Sequence, residues 1–241
     1  MTEHPYPPAP YPPAPYVQEL AVKRGVGRAL AATITLGACV LLLIVHAGLA
    51  AWGTHLVDPA DPLVHERVES LFYLLDVLGL AEAAATVATA VALIVWLWRA
   101  RANAVGIGGT PQQWGRPWMI IGWMVPILNF WVPRMIVADV WRASAPAGRR
   151  AWPVNLWWPL WLIYVVGGRV LSDDDDMSLQ ELYDHCVSLT ALALIGVAAA
   201  ALAIVFVWRI TGFQEAHARR LAQAIAQPAA TPVPPSGPGW R

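Results

Sequence analysis

Four long runs of apolar residues alternate with polar stretches along the chain. The runs cover residues 29–52, 77–98, 154–171 and 186–208. An α-helix needs about 20 mostly apolar residues to cross the hydrocarbon core of a bilayer. Because every backbone polar group in that core must be paired internally, helices are favoured there. The pattern therefore predicts four transmembrane helices.

A fifth apolar stretch, residues 117–144, starts like a span but does not continue like one. Pro126, Asn129 and Pro133 interrupt it, and its second half has the amphipathic pattern of a helix lying along a membrane surface. We interpret this broken segment as re-entrant or interfacial. The alternative is a fifth span that the prolines merely kink, since membrane helices tolerate proline.

Charged residues are sorted along the chain by sign. Lysine and arginine collect before the first run, after the second, around the broken segment and after the fourth, whereas acidic residues dominate 53–70 and 172–185. Cytoplasmic loops carry an excess of Lys and Arg, so four spans with both termini in the cytoplasm fit best. A fifth span would move the last acidic loop inside. We predict an all-α, polytopic membrane protein: a four-transmembrane-helix bundle with an extra re-entrant or interfacial helical segment.

Two proline-rich tails flank the predicted membrane domain, which covers residues 23–226. Residues 1–22 repeat the pentamer PYPPA, and residues 227–241 are also rich in proline. Proline at this density favours an extended, solvated chain. We predict disordered tails, with a docking role for the first tail as the alternative.

The composition supports a bilayer protein. Of the 241 residues, 57% are hydrophobic and 13% charged, against about 25% charged in ordinary soluble domains. The formal net charge is zero, so no basic surface for nucleic acid is expected. The expected partners are the lipid bilayer and, as further candidates, another membrane protein or a second copy of the chain.

Three motifs resemble a known family. WLWRARANA at 96–104, GWMVPILNFWVPRMIVADVWRAS at 122–144 and the tryptophan pair 157–158 are similar to the actinobacterial integral membrane proteins of the domain of unknown function 4328 family. The resemblance extends over about residues 29–211 and implies a multi-pass protein of a bacterial plasma membrane, with no established activity and no catalytic residue. The matching motif positions are Trp96, Arg99, Arg101, Asn103, Trp123, Pro126, Asn129, Pro133, Asp139 and Trp141.

The topology predicts two side-chain pairs. His46 and Glu82 each lie roughly 8 Å from the outer ends of the first two spans, and a carboxylate in hydrocarbon seeks a partner. We therefore predict a hydrogen bond between them, the alternative being that each reaches interfacial water alone. On the inner side we predict that Arg99 or Arg101 pairs with Asp139, the alternative being separate, water-facing charges.

No catalytic, cofactor or metal signature stands out in the sequence. His65 and Glu69 could share a helix face, but a credible metal site needs more ligands. We interpret the chain as an integral membrane protein of unknown biochemical activity, a non-enzymatic scaffold or accessory subunit without cofactor or metal. The alternative is a small transporter or channel component that uses the broken segment, and the third hypothesis is an intramembrane enzyme.

Overall fold

The structure, a computed structural model, describes residues 25–58, 60–107, 112–125, 127–171 and 178–226. Within these ranges the chain is helical and has no strand, which confirms the predicted all-α class. The helices are α1 (Val26–Gly53), α2 (Val64–Ile107), α3 (Trp118–Met124), a 3₁₀ helix (Leu128–Phe130), α4 (Val132–Ser144), α5 (Trp152–Val170) and α6 (Leu179–Ala226). The predicted tails, the aspartates of 173–176 and Pro126 lie outside the described residues.

Three of the described helices are long and apolar enough, by length and composition, to cross a membrane: α1, α2 and α6. The predicted third span corresponds to α5, which has 19 residues but is not among them. Asn155, Arg169 and two prolines dilute its apolar character. By this measure, three of the four predicted spans are supported by the structure, and the span at α5 is not confirmed.

The helices α2 and α6 are longer than the apolar runs that they contain. With 44 and 48 residues they measure about 66 and 72 Å at 1.5 Å per residue, against a hydrocarbon core of about 30 Å. Residues 64–70 and 179–185, which the sequence pattern placed in polar loops, are helical instead. Both helices therefore project beyond a bilayer.

Local hydrogen bonds explain why these helices begin inside the polar stretches. At the start of α2, the Asp61 carboxylate accepts from the backbone N–H of Leu63 at 2.9 Å and pairs with Arg67 at 2.8 Å. At the start of α6, Glu181 accepts from the Ser178 N–H at 2.8 Å, and the Ser178 hydroxyl accepts from the Glu181 N–H at 3.3 Å. This reciprocal capping box satisfies N–H groups that a helix terminus otherwise leaves unpaired.

We expect the first turn of α6 to loosen at acidic pH. The hydrogen bonds from Ser178 hold the pKa of Glu181 below its ordinary value. Because the pKa of Glu181 is lower in the folded state, its ionised carboxylate stabilises the turn above about pH 4.3. This stabilisation is lost as the pH falls through the lower pKa of the folded state. Hydrogen exchange at residues 179–183 should accelerate below about pH 4 relative to the middle of α6. In Glu181→Ala, exchange at these residues should be fast relative to the middle of α6 at every pH. If this relative exchange rate does not change with pH in the wild type, the capping interaction is contradicted.

The first helix packs along both long helices. Gly53, the last residue of α1, lies against Leu71 near the start of α2 and against Cys186 near the start of α6. The end of α1 is thus beside the starts of the other two, so α1 runs antiparallel to both. A Cβ at Gly53 would come within 2.6 Å of Leu71 and 2.9 Å of Cys186, which shows how closely these helices approach.

The helix α5 runs antiparallel along the middle of α6. The rings of Trp157 and Phe206 lie 5.0 Å apart, and further along α5 the ring of Tyr164 lies against Gly196. Leu43 of α1 contacts the same glycine. Thus α5 occupies the same level of the bundle as the middle of α1, even though its composition is less apolar.

The broken segment folds back on itself. Helices α3 and α4 have 7 and 13 residues, too few to span a bilayer core. Gly122 of α3 lies against Val132 of α4, where an added Cβ would come within 2.7 Å of the valine Cγ1. The segment is therefore a helical hairpin, and Val132, Ile136 and Trp141 anchor it in the largest buried cluster of the described chain.

Candidate intramembrane binding site

A cleft separates α2 from α5. The helix α1 packs against α2 and α6, and α6 packs against α5, but α2 and α5 make little contact with each other. They form the two walls of the cleft, while α1 and α6 form its floor. An apolar space between helices is a usual place for a ligand in a helical bundle.

A cavity of about 150 Å³ occupies this cleft. Its polar lining consists of Cys39, Glu82, Thr86, Thr89 and Tyr164. Its apolar lining consists of Leu36, Leu43, Ala90, Leu93, Trp123, Trp157, Trp161, Gly196, Ala199, Ala200 and Ala203. The small residues of α6 leave the space that the aromatic side chains of α5 enclose.

The structure brings His46 and Glu82 together at the edge of the cavity. His46 Nδ1 and Glu82 Oε1 lie 3.0 Å apart, and the two side chains are 16% and 12% exposed. Nearby, Cys39 Sγ and Thr89 Oγ1 lie 3.3 Å apart. Two polar contacts thus join α1 to α2 along the cleft.

We expect His46 and Glu82 to be energetically coupled. In a double-mutant cycle with His46→Leu and Glu82→Gln, thermal stability in mild detergent should give a coupling of about 0.5–1.5 kcal/mol, the usual size for a polar contact between membrane helices. The matched control replaces His46→Leu with His55→Leu, because His55 is exposed. If the His46 cycle is as additive as the control cycle, the contact does not stabilise the fold.

Trp123 brings a hydrogen-bond donor to the cavity. Its ring lies edge-on against Trp158 and Trp161, with centroids 6.3 and 5.7 Å apart. Its Nε1 is buried and has no hydrogen-bond partner among the described residues. Buried donors are nearly always paired, whereas Trp123 is a lining residue of the cavity with an unsatisfied N–H in the described chain.

The hairpin that carries Trp123 is fixed to α5. Trp158 Nε1 donates to the carbonyl oxygen of Phe130 at 2.8 Å, and Arg134 Nη2 donates to Asn155 Oδ1 at 2.8 Å.

Pro133 lies in the first turn of α4, where proline fits without losing a hydrogen bond. Asn129 Oδ1 is buried without a partner in the described chain.

The family model for Domain of unknown function (DUF4328) matches residues 60–212, more than half of the chain. The chain belongs to the DUF4328 family. No curated protein and no solved structure matches it. The DUF4328 match contains both walls of the cleft, and with them Glu82, but it does not reach α1. His46 therefore lies outside the match, although the resemblance described above extended to about residue 29.

Trp96 and Trp141, two of the motif positions expected from the resemblance, stabilise the core of the bundle. Trp96 Nε1 donates to Thr211 Oγ1 at 3.1 Å, which joins α2 to α6. Trp141 is buried, and its Nε1 donates to the carbonyl oxygen of Arg149 at 3.3 Å. These side chains fill the core and pair their N–H groups, so they do not line the cavity.

The predicted pairing of Asp139 with Arg99 or Arg101 is wrong. Asp139 instead forms an ion pair with Arg142 at 2.5 Å, one turn further along α4, and accepts from the backbone N–H of Gln113 at 3.2 Å. The chain leading into α3 supplies that N–H, so a local arginine and a backbone group satisfy the carboxylate. A pair three residues apart on one helix needs no tertiary arrangement.

Arg101 is buried beside the same stretch of chain. Its Nη2 donates to the carbonyl oxygen of Trp114. Burial is the main cause that lowers the pKa of Arg101; Arg116 lowers it further, and Asp139 opposes both. Arg99 Nε is also buried, without a hydrogen-bond partner among the described residues.

The pattern of the sequence did not single out Gln214. This buried side chain donates from Nε2 to the Ala100 carbonyl oxygen at 2.8 Å and to Ser144 Oγ at 2.9 Å, and its Oε1 accepts from Asn103 Nδ2 at 3.1 Å. The network joins α2, α4 and α6. Its signal in the sequence is the spacing of Gln214 from Val207 and Thr211, both on the buried face of α6.

Acidic, histidine and cysteine side chains do not gather into a metal site in the part of the chain that the structure describes. Within the described ranges, no group of three or more of these residues lies close enough to hold an ion. His65 and Glu69 are exposed on the projecting start of α2.

Proposed function

We propose that the protein crosses a bacterial plasma membrane four times, with both termini in the cytoplasm. The level of α5 supports the fourth span, because Tyr164 of α5 and Leu43 of α1 meet the same Gly196 in the middle of α6. If α1 and α6 cross the bilayer, α5 lies in the same layer. Its cluster of tryptophans near one end suits a membrane interface.

The two ends of the bundle carry opposite charges. The end with the first residues of α1 and α5 and the last residues of α2 and α6 contains Arg28, Arg99, Arg101, Arg116, Arg134, Arg142, Arg149, Arg150, Arg209, Arg219 and Arg220, together with the acidic residues Asp139 and Glu215. The opposite end contains Asp58, Asp61, Glu66, Arg67, Glu69, Asp76, Arg169, Glu181 and Asp184. The excess of arginine supports a cytoplasmic position for the first end.

We expect reporter fusions to read the cytoplasm at Ala145 and Gln223 and the exterior at Asp61 and Ser178. The charge layering and the antiparallel course of the four helices lead to this result. An external reading at Ala145 would indicate a fifth span. Cytoplasmic Ser178 with external Gln223 would mean that α5 does not cross. Fusions at Asp61 control for correct insertion of the first two helices.

Within that topology, the protein holds a lipid-class molecule in the cleft and has no enzymatic activity of its own. The observation that carries this proposal is the cavity between the walls α2 and α5, which is lined by Trp123, a residue whose buried N–H has no partner among the described residues. A cavity near 150 Å³ lined by apolar side chains suits an apolar group. A lipid chain with a carbonyl oxygen would supply both the apolar body and the acceptor.

The non-enzymatic role rests on how the polar side chains of the cleft are used. The carboxylate of Glu82 is engaged by His46, and Cys39 is in contact with Thr89. The protein acts as a membrane scaffold or accessory subunit whose lipid stabilises it, with another membrane protein or a second copy as its partner. Nucleic acid is not among the proposed partners.

A small transporter or channel component is the second candidate. The observation that favours it is the position of Trp123, because this side chain places the broken segment at the cavity. Movement of the hairpin would then open the inner end. Solute flux in proteoliposomes that depends on the hairpin would favour this reading over a static lipid site.

Filling the cavity tests the lipid site. Ala200 lines the cavity, whereas the neighbouring Ala201 is exposed. Native mass spectrometry of protein in mild detergent should show retained lipid in the wild type and in Ala201→Leu, and at least about fivefold less in Ala200→Leu, as expected for a core site whose free volume is filled. Equal retention in the two variants, or no lipid in the wild type, would refute the site.

A further inference from the structure

Buried hydrogen-bond donors without acceptors gather on the inner side of the bundle, away from the cleft. Arg101 Nη1, Gln112 Nε2 and Trp114 Nε1 are buried and have no hydrogen-bond partner among the described residues. We call these three side chains the donor patch. Buried polar groups are almost always paired, so three neighbouring exceptions indicate a missing acceptor.

The guanidinium of Arg101 holds the patch together. The side chain is only 8% exposed, and its Nη2 donates to the carbonyl oxygen of Trp114. The Arg101 guanidinium therefore lies against Trp114, and Gln112 is two residues before Trp114 in the chain. The ring of Trp114 is held edge-on by Trp118 at 5.1 Å, which restricts the direction of its N–H.

The charges around the patch favour an anion. Asp139, the nearby acidic residue, is already paired with Arg142 and accepts from the Gln113 N–H. Asp139 still attracts Arg101 electrostatically and Arg116 opposes that attraction, but no carboxylate among the described residues forms an ion pair with Arg101. A buried, unpaired charge is costly, and an arriving anion would offset this cost.

We propose that the donor patch binds a phosphate-type oxyanion, either the phosphodiester of a lipid headgroup or free phosphate. Arginine presents N–H groups in a planar fork that matches phosphate oxygens. The Trp114 N–H can only donate, so the patch selects a ligand that presents acceptor oxygens. This site is independent of the cleft, because none of its three residues lines the cavity.

The position of the patch along α2 places both sources of the anion nearby. Arg101 follows Trp98 and Arg99, where the apolar part of α2 ends. In the proposed topology, this level is the cytoplasmic headgroup region, where anionic lipids and soluble phosphate both occur. Basic side chains at that surface attract anionic lipids.

The test compares two ligands with the same protein. In uncharged detergent, the apparent melting temperature is measured against inorganic phosphate, with sodium chloride at matched ionic strength. In nanodiscs, it is measured with zwitterionic lipid alone and with added phosphatidylglycerol. Saturable stabilisation by phosphate assigns the free anion, and stabilisation by phosphatidylglycerol alone assigns the headgroup. Stabilisation by neither refutes the proposal.

Two substitutions locate the effect. Arg101→Gln should weaken binding at least about tenfold, because it removes a charge-assisted contact. Arg150→Gln, which changes the net charge equally at an exposed position, should leave affinity unchanged. If Arg101→Gln does not fold, Trp114→Phe decides: it keeps a ring but removes the N–H, and affinity should fall several-fold, whereas Trp208→Phe should not change it. Unchanged affinity in Trp114→Phe would overturn the proposed site.

Discussion

Replacing Gln214 with leucine is expected to lower the free energy of unfolding by roughly 2–4 kcal/mol, because Gln214→Leu removes three hydrogen bonds from a buried network. The side chain is 3% exposed and joins α2, α4 and α6. Water cannot readily replace the lost contacts to Asn103 and Ser144. For a chain of this size, the change corresponds to roughly 5–15 °C in apparent melting temperature.

The matched control for this prediction is Gln223→Leu. Gln223 is on the same helix but exposed, so its replacement should change the melting temperature by no more than about 2 °C. Measurements belong in one detergent at one heating rate, because unfolding of membrane proteins is often irreversible. Equal shifts for the two variants would mean that the buried network does not contribute to stability.

The apolar runs predicted the all-helical class because the bilayer leaves few alternatives for a chain of this composition. They also predicted the His46–Glu82 contact, since a short outer loop sets two antiparallel helices at one depth. Depth along a helix follows directly from residue number. The prediction of the His46–Glu82 contact therefore agrees with the structure.

Hydropathy did not reveal the polar ends of α2 and α6. Helix continuation there depends on local capping by Asp61 and by the Ser178–Glu181 pair, which an apolar count does not register. For α5, hydropathy alone does not select a span, and the helix is held beside α6 by packing against Gly196 and Phe206. Tertiary contact can hold a helix that composition alone would not select.

The Asp139 pairing failed for a different reason. Two helices whose ends share an interface can have other chain between them, and here the stretch containing Gln113 and Trp114 lies between Arg101 and Asp139. Charge position in the sequence gives the side of the membrane but not the partner. Asp139 pairs instead with Arg142, one turn away on the same helix.

The cleft was not predictable from the pattern because a hydrophobic run does not say which helices make little contact with each other. What the sequence contained was the small-residue face of α6, where Gly196, Ala199 and Ala203 are buried. Small residues usually allow close helix packing. Here the same residues form the floor of a cavity, because Trp157 and Trp161 of α5 reach across it.

The second large effect is expected at Gly122, next to Trp123. In Gly122→Ala the new Cβ would lie 2.7 Å from Val132 Cγ1 and 3.3 Å from Val132 Cβ. Valine is stiff about χ1 and Val132 is fully buried, so the hairpin must open. We expect a loss of about 1–3 kcal/mol in stability, and less retained lipid because Trp123 moves with α3.

Gly79→Ala is the control for the glycine itself, because a Cβ there meets nothing within 4 Å; this variant should be neutral or more stable by about 0.5–1 kcal/mol. Val132→Ala should partly rescue Gly122→Ala by removing the clashing methyl group, although alone it costs stability by leaving a void. Thermal unfolding of the four proteins in the cycle gives the coupling. Additive losses would mean that α3 does not fold back onto α4, and the placement of Trp123 at the cavity would lose its support.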